Sequence, residues 1–482
     1  MHLALITKIL GMLLMVFSIT MLPPVLVAWL YDDGLQLPFL TAFAITFAIG
    51  LALWMIFFRS REELGVRDGF LVVTLFWTVL GVIGSLPFLL ILKISLTDAI
   101  FESMSGLTTT GASVLSGLDH MAPSLLYYRQ QLQWLGGMGV VVLAVAILPM
   151  LGVGGMQLYK AEIPGPMKEA KLTPRIAETA KALWYVYLTV TVACATGYWL
   201  AGMSLFEAIC HSFSTVSTGG FSTRDASIAA FDSPAVEWVG AFFMFFSGAS
   251  FALMFAALRR GSIRTFFRDP EFRFYTGLMF IYLTITTVTL WVGERYPSFE
   301  ETARHAAFQV ASFGTGTGLS STDAAGYWPL TLLVLLIFTS FISGCAGSTT
   351  AGMKVVRIAL MLHQSQRELR RLIYPHGVFA LRFGRRTVND QVLQSVWGFI
   401  GVFVTIAVLL TLAMMTTGMD LTTAFSAVAA SLNTLGMGVG GVSAGFGAIA
   451  DEAKWLMCFA MLLGRLEVFT ILVLFTPVFW RQ

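Results

Sequence analysis

Long apolar segments recur along the whole chain, separated by shorter polar stretches that carry most of the charge. A helix that crosses a membrane needs about 20 apolar residues, and the pattern predicts ten such spans. They lie at about 9–30, 37–58, 69–92, 125–150, 182–202, 235–258, 274–293, 328–342 with a broken continuation to about 362, 393–418 and 455–480. An even number of spans places both termini on the same side of the membrane.

Four of the connections between these spans differ from ordinary loops. Each is long, partly apolar and rich in Ser, Thr and Gly, and each opens with a helix N-cap signal. These signals are Ser95-x-x-Asp98, Ser204-x-x-Glu207, Ser298-x-x-Glu301 and Asp420. A short apolar helix and a Thr/Gly cluster follow in each connection. The pattern predicts re-entrant segments, in which a half-helix enters the membrane and an extended strand returns from it.

The four connections align with one another when one glycine of each is taken as position zero. These glycines are Gly111, Gly220, Gly318 and Gly436. Each has an alanine twelve residues upstream and a small polar residue three residues upstream. A repeat of about 100 residues predicts four parallel helix–pore loop–helix units around one pore. The predicted boundaries are 67–160, 161–265, 266–385 and 386–482, after a two-span extension at 1–66.

Composition places the chain among polytopic all-α membrane proteins. Hydrophobic residues make up 57% of its 482 residues and charged residues only 12%, about half the usual charged share. So few charges cannot cover a soluble fold, and the high apolar content excludes a disordered chain. A net charge of only +3 argues against a nucleic-acid partner. The four cysteines have no CxxC spacing and are expected to be buried thiols.

The basic residues are distributed unevenly between the two sides of the predicted membrane. Of the 30 Lys and Arg residues, 23 fall on the side of the termini, six fall on the opposite side and Arg465 lies inside a span. The positive-inside rule therefore predicts that both termini are cytoplasmic. Surrounding lipid is the first expected partner of such a chain.

The Thr/Gly clusters admit two interpretations. Small residues at one position are usual where membrane helices pack closely. Four copies at the same point of four parallel repeats favour a pore, because a permeating cation exchanges its water shell for a ring of backbone carbonyls. Glycine permits the backbone angles that direct successive carbonyls to one axis. The half-helices also direct their partly negative C-terminal ends inward.

These clusters resemble the four pore loops of the TrkH/KtrB/HKT superfamily of potassium uptake proteins, the TrkH branch in particular. The stretches 133–139, 154–158 and 464–469 are similar to that branch too, and the resemblance covers the whole chain. The sites it implies for potassium are Thr108, Thr109, Thr110, Gly111, Ser217, Thr218, Gly219, Gly220, Thr315, Gly316, Thr317, Gly318, Asn433, Thr434, Leu435 and Gly436. The third loop departs from the family, which often has Ala-Gly-Phe where this chain has Thr317-Gly318-Leu319 and a threonine where it has Gly316.

The resemblance implies a potassium-selective pore within one chain, in a bacterial inner membrane. It further implies a homodimer with one pore in each protomer, and a cytosolic ring of TrkA-type regulatory subunits that bind nucleotides. The chain itself has no strand-associated GxGxxG and no Walker motif, so no organic cofactor is expected in it. The basic cluster at 367–386 could bind anionic lipid headgroups or dock such a subunit.

The second span of the third repeat is interrupted by consecutive small residues. They include Gly344, Cys345, Ala346, Gly347, Ser348, Thr349, Thr350, Ala351 and Gly352. Unpaired backbone is costly in lipid, so the interruption is expected to be buried in protein or to line water. One interpretation is a kinked helix with close packing. The resemblance implies a gating loop below the filter, with Lys354 anchoring its cytoplasmic end.

Arg465 is a lone charge inside an apolar span, which is costly and therefore predicts a function or a partner. One interpretation is a structural ion pair with another repeat. The resemblance supports a second, in which the guanidinium lies beneath the filter and impedes ions until the gate opens. Glu467 is two residues away and so on a different helix face.

The sequence thus predicts a potassium channel or transporter subunit and not an enzyme. An ion-coupled symporter, driven by protons or sodium, is the alternative. A non-potassium secondary transporter would use inverted repeats and carboxylates at the membrane midplane, whereas these repeats are parallel. A membrane enzyme would need a cluster of His, Asp or Glu in one plane, which the sequence does not display.

Overall fold

The structure, a computed structural model, describes residues 2–60, 65–146, 176–384 and 386–481. The end of the span predicted at 125–150, the boundary predicted between 160 and 161, and the stretch 154–158 lie outside the described residues. The described part is mostly helical, as the sequence predicts. Its helices are described below in the order of the predicted N-terminal extension and the four predicted repeats.

In the described residues, the predicted extension and first repeat contain seven α-helices. They are α1 (Leu3–Ile19), α2 (Leu22–Tyr31), α3 (Gln36–Ile56), α4 (Val66–Ile83), α5 (Leu86–Leu92), α6 (Leu96–Leu107) and α7 (Pro123–Ala146). The short helix α6 precedes the first Thr/Gly cluster, and α7 is the second long helix of its repeat. Pro87 lies in the first turn of α5, where its missing N–H has no helical partner to lose.

In each of the remaining predicted repeats, a long helix is again followed by a short helix that precedes the Thr/Gly cluster. The second contains α8 (Ile176–Leu200), α9 (Leu205–Ser217), α10 (Pro234–Ser247), α11 (Phe251–Arg260) and α12 (Arg264–Arg268). The third contains α13 (Pro270–Val292), α14 (Phe299–Gly314), α15 (Ala324–Tyr327), α16 (Leu330–Phe341) and α17 (Val355–Ile373). The fourth contains α18 (Asp390–Met415), α19 (Leu421–Leu432), α20 (Asp451–Arg465), α21 (Phe469–Leu472) and α22 (Pro477–Trp480).

Strands and 3-10 helices are few and short in the described residues. Parallel strands β1 (Ile342–Ser343) and β2 (Met353–Lys354) join the two sides of the interruption in the third repeat. Antiparallel strands β3 (Arg382–Phe383) and β4 (Arg386–Thr387) form a small hairpin before α18. The 3-10 helices are Leu118–His120, Ser227–Phe231, Gly440–Val442 and Val473–Phe475.

Six of the described helical segments are long and apolar enough to cross a membrane, and eight are if each of two bent pairs is one span. Apolar side chains on their outer faces are exposed, for instance Phe280, Val288 and Val292 on α13, and such a surface suits lipid. The all-α membrane class is confirmed. The number of ten spans and the repeat boundaries stay predictions.

The structure shows a sharp bend within each of the spans predicted at 235–258 and 455–480, and neither bend was predicted from the sequence. The chain bends by 98° between α10 and α11 and by 107° between α20 and the helical turns after it. The first bend falls at Gly248-Ala249-Ser250, and the second contains Glu467 in a left-handed conformation with φ 52°. Hydropathy measures the apolar content of a segment but contains no information about the direction of the helix axis, so it does not detect these bends.

Most of the buried apolar side chains in the described residues fall into two large clusters. One joins the N-terminal extension with the first and fourth repeats. The other joins the second and third repeats. The four cysteines are buried and free, as the sequence predicts.

Candidate functional site

The four short helices α6, α9, α14 and α19 begin where the sequence predicts. The side-chain oxygens of Ser95, Ser204 and Ser298 accept from backbone N–H groups three residues later at 3.1, 3.3 and 3.1 Å. Asp420 accepts from the N–H groups of Thr422 and Thr423. These caps satisfy backbone N–H groups in the first turn of each helix. The partly negative C-terminal end of each helix is followed directly by its Thr/Gly cluster.

Each Thr/Gly cluster is tied to its own helix by the same two backbone hydrogen bonds. The residue one before the position-zero glycine donates its N–H to a carbonyl five residues upstream, at 2.8 Å in all four repeats; the pairs are Thr110 with Ser105, Gly219 with Ser214, Thr317 with Ser312, and Leu435 with Ala430. The residue two before the position-zero glycine donates its N–H to a carbonyl three residues upstream, at 3.0–3.2 Å. These donors are Thr109, Thr218, Gly316 and Thr434. These N–H groups therefore point back to the helix.

The clusters also share two left-handed backbone positions. The position-zero glycines have φ between 73° and 85°. The residues two before them also have positive φ, at 57° for Thr109, 54° for Thr218, 65° for Gly316 and 50° for Thr434. The glycine that departs from the family pattern in the third loop thus occupies a left-handed position, where glycine carries no Cβ penalty.

The four clusters pack against one another in a closed ring. A Cβ on any position-zero glycine would overlap the carbonyl oxygen that precedes the corresponding glycine of the next repeat; the pairs are Gly111 with Gly219, Gly220 with Thr317, Gly318 with Leu435, and Gly436 with Thr110. The order runs from the first repeat through the fourth and back to the first. Glycine is required here because only a hydrogen atom fits between the two backbones.

Burial divides the clusters into an inner and an outer part. The residues at the three positions before each glycine are buried, whereas the four glycines themselves are partly exposed. In the first repeat the hydroxyls of Thr108 and Thr110 lie 2.8 Å apart. In the third repeat those of Thr315 and Thr317 lie 2.7 Å apart. All sixteen predicted filter residues are thus in or beside one ring, and none carries a charged side chain.

The interruption of the third repeat is a folded segment held against the second. Strands β1 and β2 pair Ile342 with Met353 and so bring its two ends together. The N–H of Cys345 donates to the Gly248 carbonyl at 2.7 Å, and the Gly347 carbonyl accepts from Phe251 at 3.0 Å. These bonds satisfy backbone that a broken helix leaves unpaired. They also join the interruption to the bend between α10 and α11.

Thr349, at the centre of this segment, contacts two parts of the site. Its hydroxyl donates to the Val216 carbonyl at 3.2 Å and lies 3.3 Å from the Thr218 hydroxyl of the second cluster. Its carbonyl accepts from Arg465 Nη1 at 2.8 Å. The segment predicted to be a gate therefore lies directly against the candidate filter.

Arg465 is buried, with 4% of its surface exposed, and it bridges repeats by donating to carbonyls. Besides Thr349, its Nη2 donates to the Gly136 carbonyl of α7 at 2.9 Å. Within the described residues it makes no ion pair, so the structural ion pair considered for it is not found there. Glu467 instead pairs with Arg357 at 2.7 Å. Lys354 donates to the Thr350 carbonyl, at the end of the segment where an anchor was predicted.

Sequence reasoning missed a polar contact behind the clusters. Nine residues before each position-zero glycine of the first three repeats, a side chain bonds the serine two residues after that glycine; the pairs are Glu102 with Ser113 at 3.0 Å, His211 with Ser222 at 3.0 Å, and Gln309 with Ser320 at 2.9 Å. The fourth repeat has Ala427 and Gly438 there. A serine recurs two residues after three of the four position-zero glycines, and this recurrence is the sequence signal from which the contact could have been predicted.

The acid of the first of these contacts forms a buried ion pair. Glu102 Oε1 lies 2.7 Å from Arg129 Nη2, with side-chain exposures of 0% and 1%. Arg129 also donates to the Ser222 carbonyl of the second repeat at 3.1 Å. Arg129 and its bridge between repeats were not predicted from the sequence, because a basic residue 27 positions from its partner leaves no local pattern.

Four buried loops that meet in a ring, within a chain of membrane-length apolar helices, define a polytopic membrane transport protein. The TrkH family of cation transport proteins matches residues 36–481, and the chain belongs to that family. It is 52% identical to the Trk system potassium uptake protein TrkH of Halomonas elongata over all of both chains. It is 40% identical to the Trk system potassium uptake protein TrkG of Escherichia coli K12 over 100% of this chain and 99% of that one.

A solved structure is similar over the same extent. The crystal structure of the potassium transporter TrkH from Vibrio parahaemolyticus superimposes with a TM-score of 0.93 at 49% identity, and the alignment covers 100% of both chains. The helical membrane fold predicted from the sequence is thereby confirmed.

Proposed function

We infer that this chain is the pore-forming subunit of a potassium uptake system and conducts K⁺ through the ring of four Thr/Gly clusters. The observation that carries this function is the closed ring, in which each position-zero glycine packs on a backbone carbonyl of the next repeat. The names of the relatives, which are potassium uptake proteins, support the choice of ion.

The chemistry of the ring suits a monovalent cation. With their N–H groups bonded back to the helices, the clusters can direct carbonyl oxygens to a dehydrated ion. The C-terminal ends of four helices add partial negative charge there. Because no carboxylate lies at the sixteen positions, ions are bound weakly enough to leave as well as to enter.

The gate in this proposal consists of the segment from Gly344 to Gly352 together with Arg465. The segment lies against the second cluster through Thr349 and Thr218, and the guanidinium is fixed by carbonyls of two other repeats. A positive charge at this depth opposes a cation. Conduction then requires the segment and Arg465 to separate, which exchanges protein hydrogen bonds for hydrogen bonds to water.

The assembly belongs to the same proposal. The protein functions as a homodimer in a bacterial inner membrane with both termini in the cytoplasm, and a TrkA-type nucleotide-binding subunit regulates it. Arg370 and Arg371 occupy the last turn of α17, and Arg382 follows in β3. A basic cytoplasmic end of this kind suits either an acidic protein surface or anionic lipid.

Flux through the purified chain in liposomes tests this function. K⁺ and Rb⁺ are expected to permeate well, and Na⁺ and Li⁺ poorly. Equal permeation by all four cations would overturn selection by the ring, and failure of K⁺ to move, with or without the regulatory subunit, would overturn conduction itself. Repeating the measurement with an imposed pH or Na⁺ gradient separates passive flux from ion-coupled symport, since only a symporter accumulates K⁺ against the electrochemical gradient of K⁺ itself.

A further inference from the structure

The four clusters are supported in two different ways that alternate around the ring. In the first and third repeats, a threonine three residues before the glycine meets a threonine one residue before it, at 2.8 and 2.7 Å. The second and fourth repeats have Gly219 and Leu435 at the latter position, and neither side chain carries a hydroxyl. These two clusters therefore need polar support from elsewhere.

Gln133 supplies that support to the second cluster. It lies on α7 of the first repeat, is fully buried and donates from Nε2 to the Gly219 carbonyl at 2.6 Å. Its Oε1 accepts from the N–H of Phe221 at 3.1 Å. One side chain thus holds the backbone on both sides of Gly220, the position-zero glycine.

Ser340 occupies the equivalent place for the fourth cluster. It lies on α16 of the third repeat, is fully buried and accepts at 3.0 Å from the amide Nδ2 of Asn433. Gln133 and Ser340 both stand 22 residues after the position-zero glycine of their own repeat, at Gly111 and Gly318. The same position in the second and fourth repeats holds Phe242 and Cys458, which offer no comparable amide or hydroxyl.

We propose that Gln133 and Ser340 are positioning residues for ion selection, each holding the cluster of the next repeat from behind. The odd-numbered repeats then secure their own clusters through threonine hydroxyls and the even-numbered clusters through the second helix. Neither residue touches the ion. Each acts through the backbone or the side chain of a cluster residue, and this inference rests on the proposed function of the ring.

The physical basis is the cost of leaving a buried polar group unpaired. Replacing Gln133 by leucine leaves the Gly219 carbonyl and the Phe221 N–H without the partner that each now has. The cluster can then rotate to find other partners, which changes the spacing of oxygens around an ion. Selection between K⁺ and Na⁺ depends on that spacing and on the number of oxygens around the ion. The selectivity for K⁺ over Na⁺ should therefore fall before conduction is lost.

The test measures the K⁺/Na⁺ permeability ratio from the reversal potential under bi-ionic conditions, in liposome-reconstituted or patch-clamped protein. For Gln133→Leu and Ser340→Ala we expect the ratio to fall by about fivefold to tenfold, the size of one buried hydrogen bond. Ser340→Thr, which keeps the hydroxyl, should retain the wild-type ratio.

Two matched controls lie outside the ring. Gln131→Leu makes the same change two residues away on α7, where the amide donates to the Thr20 carbonyl of the N-terminal extension at 2.9 Å. Ser18→Ala removes a buried serine from α1 whose hydroxyl donates to a carbonyl three residues upstream at 2.7 Å, as that of Ser340 does at 2.7 Å. Both controls should leave the permeability ratio unchanged.

A second measurement applies even to a variant that does not conduct. K⁺ bound in the ring should raise the melting temperature of the detergent-solubilised protein more than Na⁺ does, and this difference should shrink in Gln133→Leu and Ser340→Ala only. Permeability ratios and ion-dependent melting that match the wild type in both variants would overturn the positioning role. A wild-type protein without preference between K⁺ and Na⁺ would instead overturn the proposed function.

Discussion

Arg465 Nη1 donates a hydrogen bond of 2.8 Å to the backbone carbonyl of Thr349, across 116 residues of sequence. Thr349 lies in the interrupted segment of the third repeat, and Arg465 ends the second helix of the fourth. The bond therefore joins the two parts of the proposed gate beneath the ring. A charge held by carbonyl dipoles is stabilised less firmly than one in an ion pair with full hydrogen bonding, so this contact suits a part that must open.

Replacing Arg465 with alanine should raise K⁺ flux. The change removes a positive charge from the ion path and a hydrogen bond that holds the segment closed. Hydrogen bonds to charged groups contribute about 1.5–3 kcal/mol, so the flux of a largely closed wild type should increase about tenfold or more. Liposome flux at matched protein density measures it. Arg465→Lys keeps the charge and should give a smaller increase; unchanged flux in Arg465→Ala with normal expression argues against the gating role.

Replacing Thr349 with valine should favour the open state by a smaller amount. Valine has a similar shape but lacks the hydroxyl that donates to the Val216 carbonyl at 3.2 Å, while the carbonyl that binds Arg465 remains. The Thr218 hydroxyl also lies 3.3 Å from that of Thr349 but keeps its own bond to the Ser217 carbonyl. The loss is therefore about that of one neutral hydrogen bond, about 1 kcal/mol, which corresponds to about a fivefold change in the open-to-closed ratio. Single-channel open probability is the measurement. Thr405→Val on α18, whose exposed hydroxyl bonds its own helix, is the control and should leave it unchanged.

Replacing Gly318 with alanine should abolish selective conduction. The new Cβ would overlap the Leu435 carbonyl, and φ of 81° is strained for any residue with a side chain. We expect loss of K⁺ flux together with destabilisation of about 1–3 kcal/mol from the backbone strain alone. Gly277→Ala on α13 is the control, since a Cβ there meets nothing within 4 Å. If Gly318→Ala retains wild-type flux and selectivity, the ring is not the filter.

Replacing Glu102 with glutamine should destabilise the protein strongly, because it leaves the buried Arg129 charge without its carboxylate partner. Breaking a buried ion pair from one side costs about 3–5 kcal/mol. The matched control is Glu207→Gln, whose partner Arg224 is 40% exposed and whose loss should cost about 0–1 kcal/mol. Melting temperatures of the two detergent-solubilised variants provide the comparison. Equal shifts would mean that the Glu102 pair is no more important than the exposed one.

The loops that carry Asp119 and Asp225 should lose a stabilising contact in acid. Partial burial raises the pKa of Asp119, but hydrogen bonds from the Asp225 N–H and the Arg224 guanidinium outweigh it and hold that pKa below its ordinary value of 3.8. A carboxyl with a lowered pKa stabilises the folded state above its unfolded pKa and loses this contribution as the pH falls through the folded value. Melting curves between about pH 2 and pH 5 should therefore depend less on pH in Asp119→Asn. An unchanged pH dependence would contradict the contact.

Local chemistry made much of the fold predictable from the sequence. The serines at 95, 204 and 298 and Asp420 cap the four short helices as predicted, because an N-cap is decided within four residues. The position-zero glycines were found by their period, and each has the left-handed backbone that a glycine tolerates best. The share of apolar residues identified the membrane class, since no soluble surface can be built from so few charges.

The tertiary structure alone decided the rest, because the decisive contacts join residues far apart in sequence. Arg465 reaches Gly136 across 329 residues, and Gln133 reaches Gly219 across 86; no periodicity records either pair. The bends after α10 and α20 depend on the residues that pack around them, and hydropathy contains no information about that packing. The sequence by itself determined which residues form four equivalent loops in a membrane. Which carbonyl each glycine packs against, and which side chains hold the ring, depended on how the four repeats close on one another.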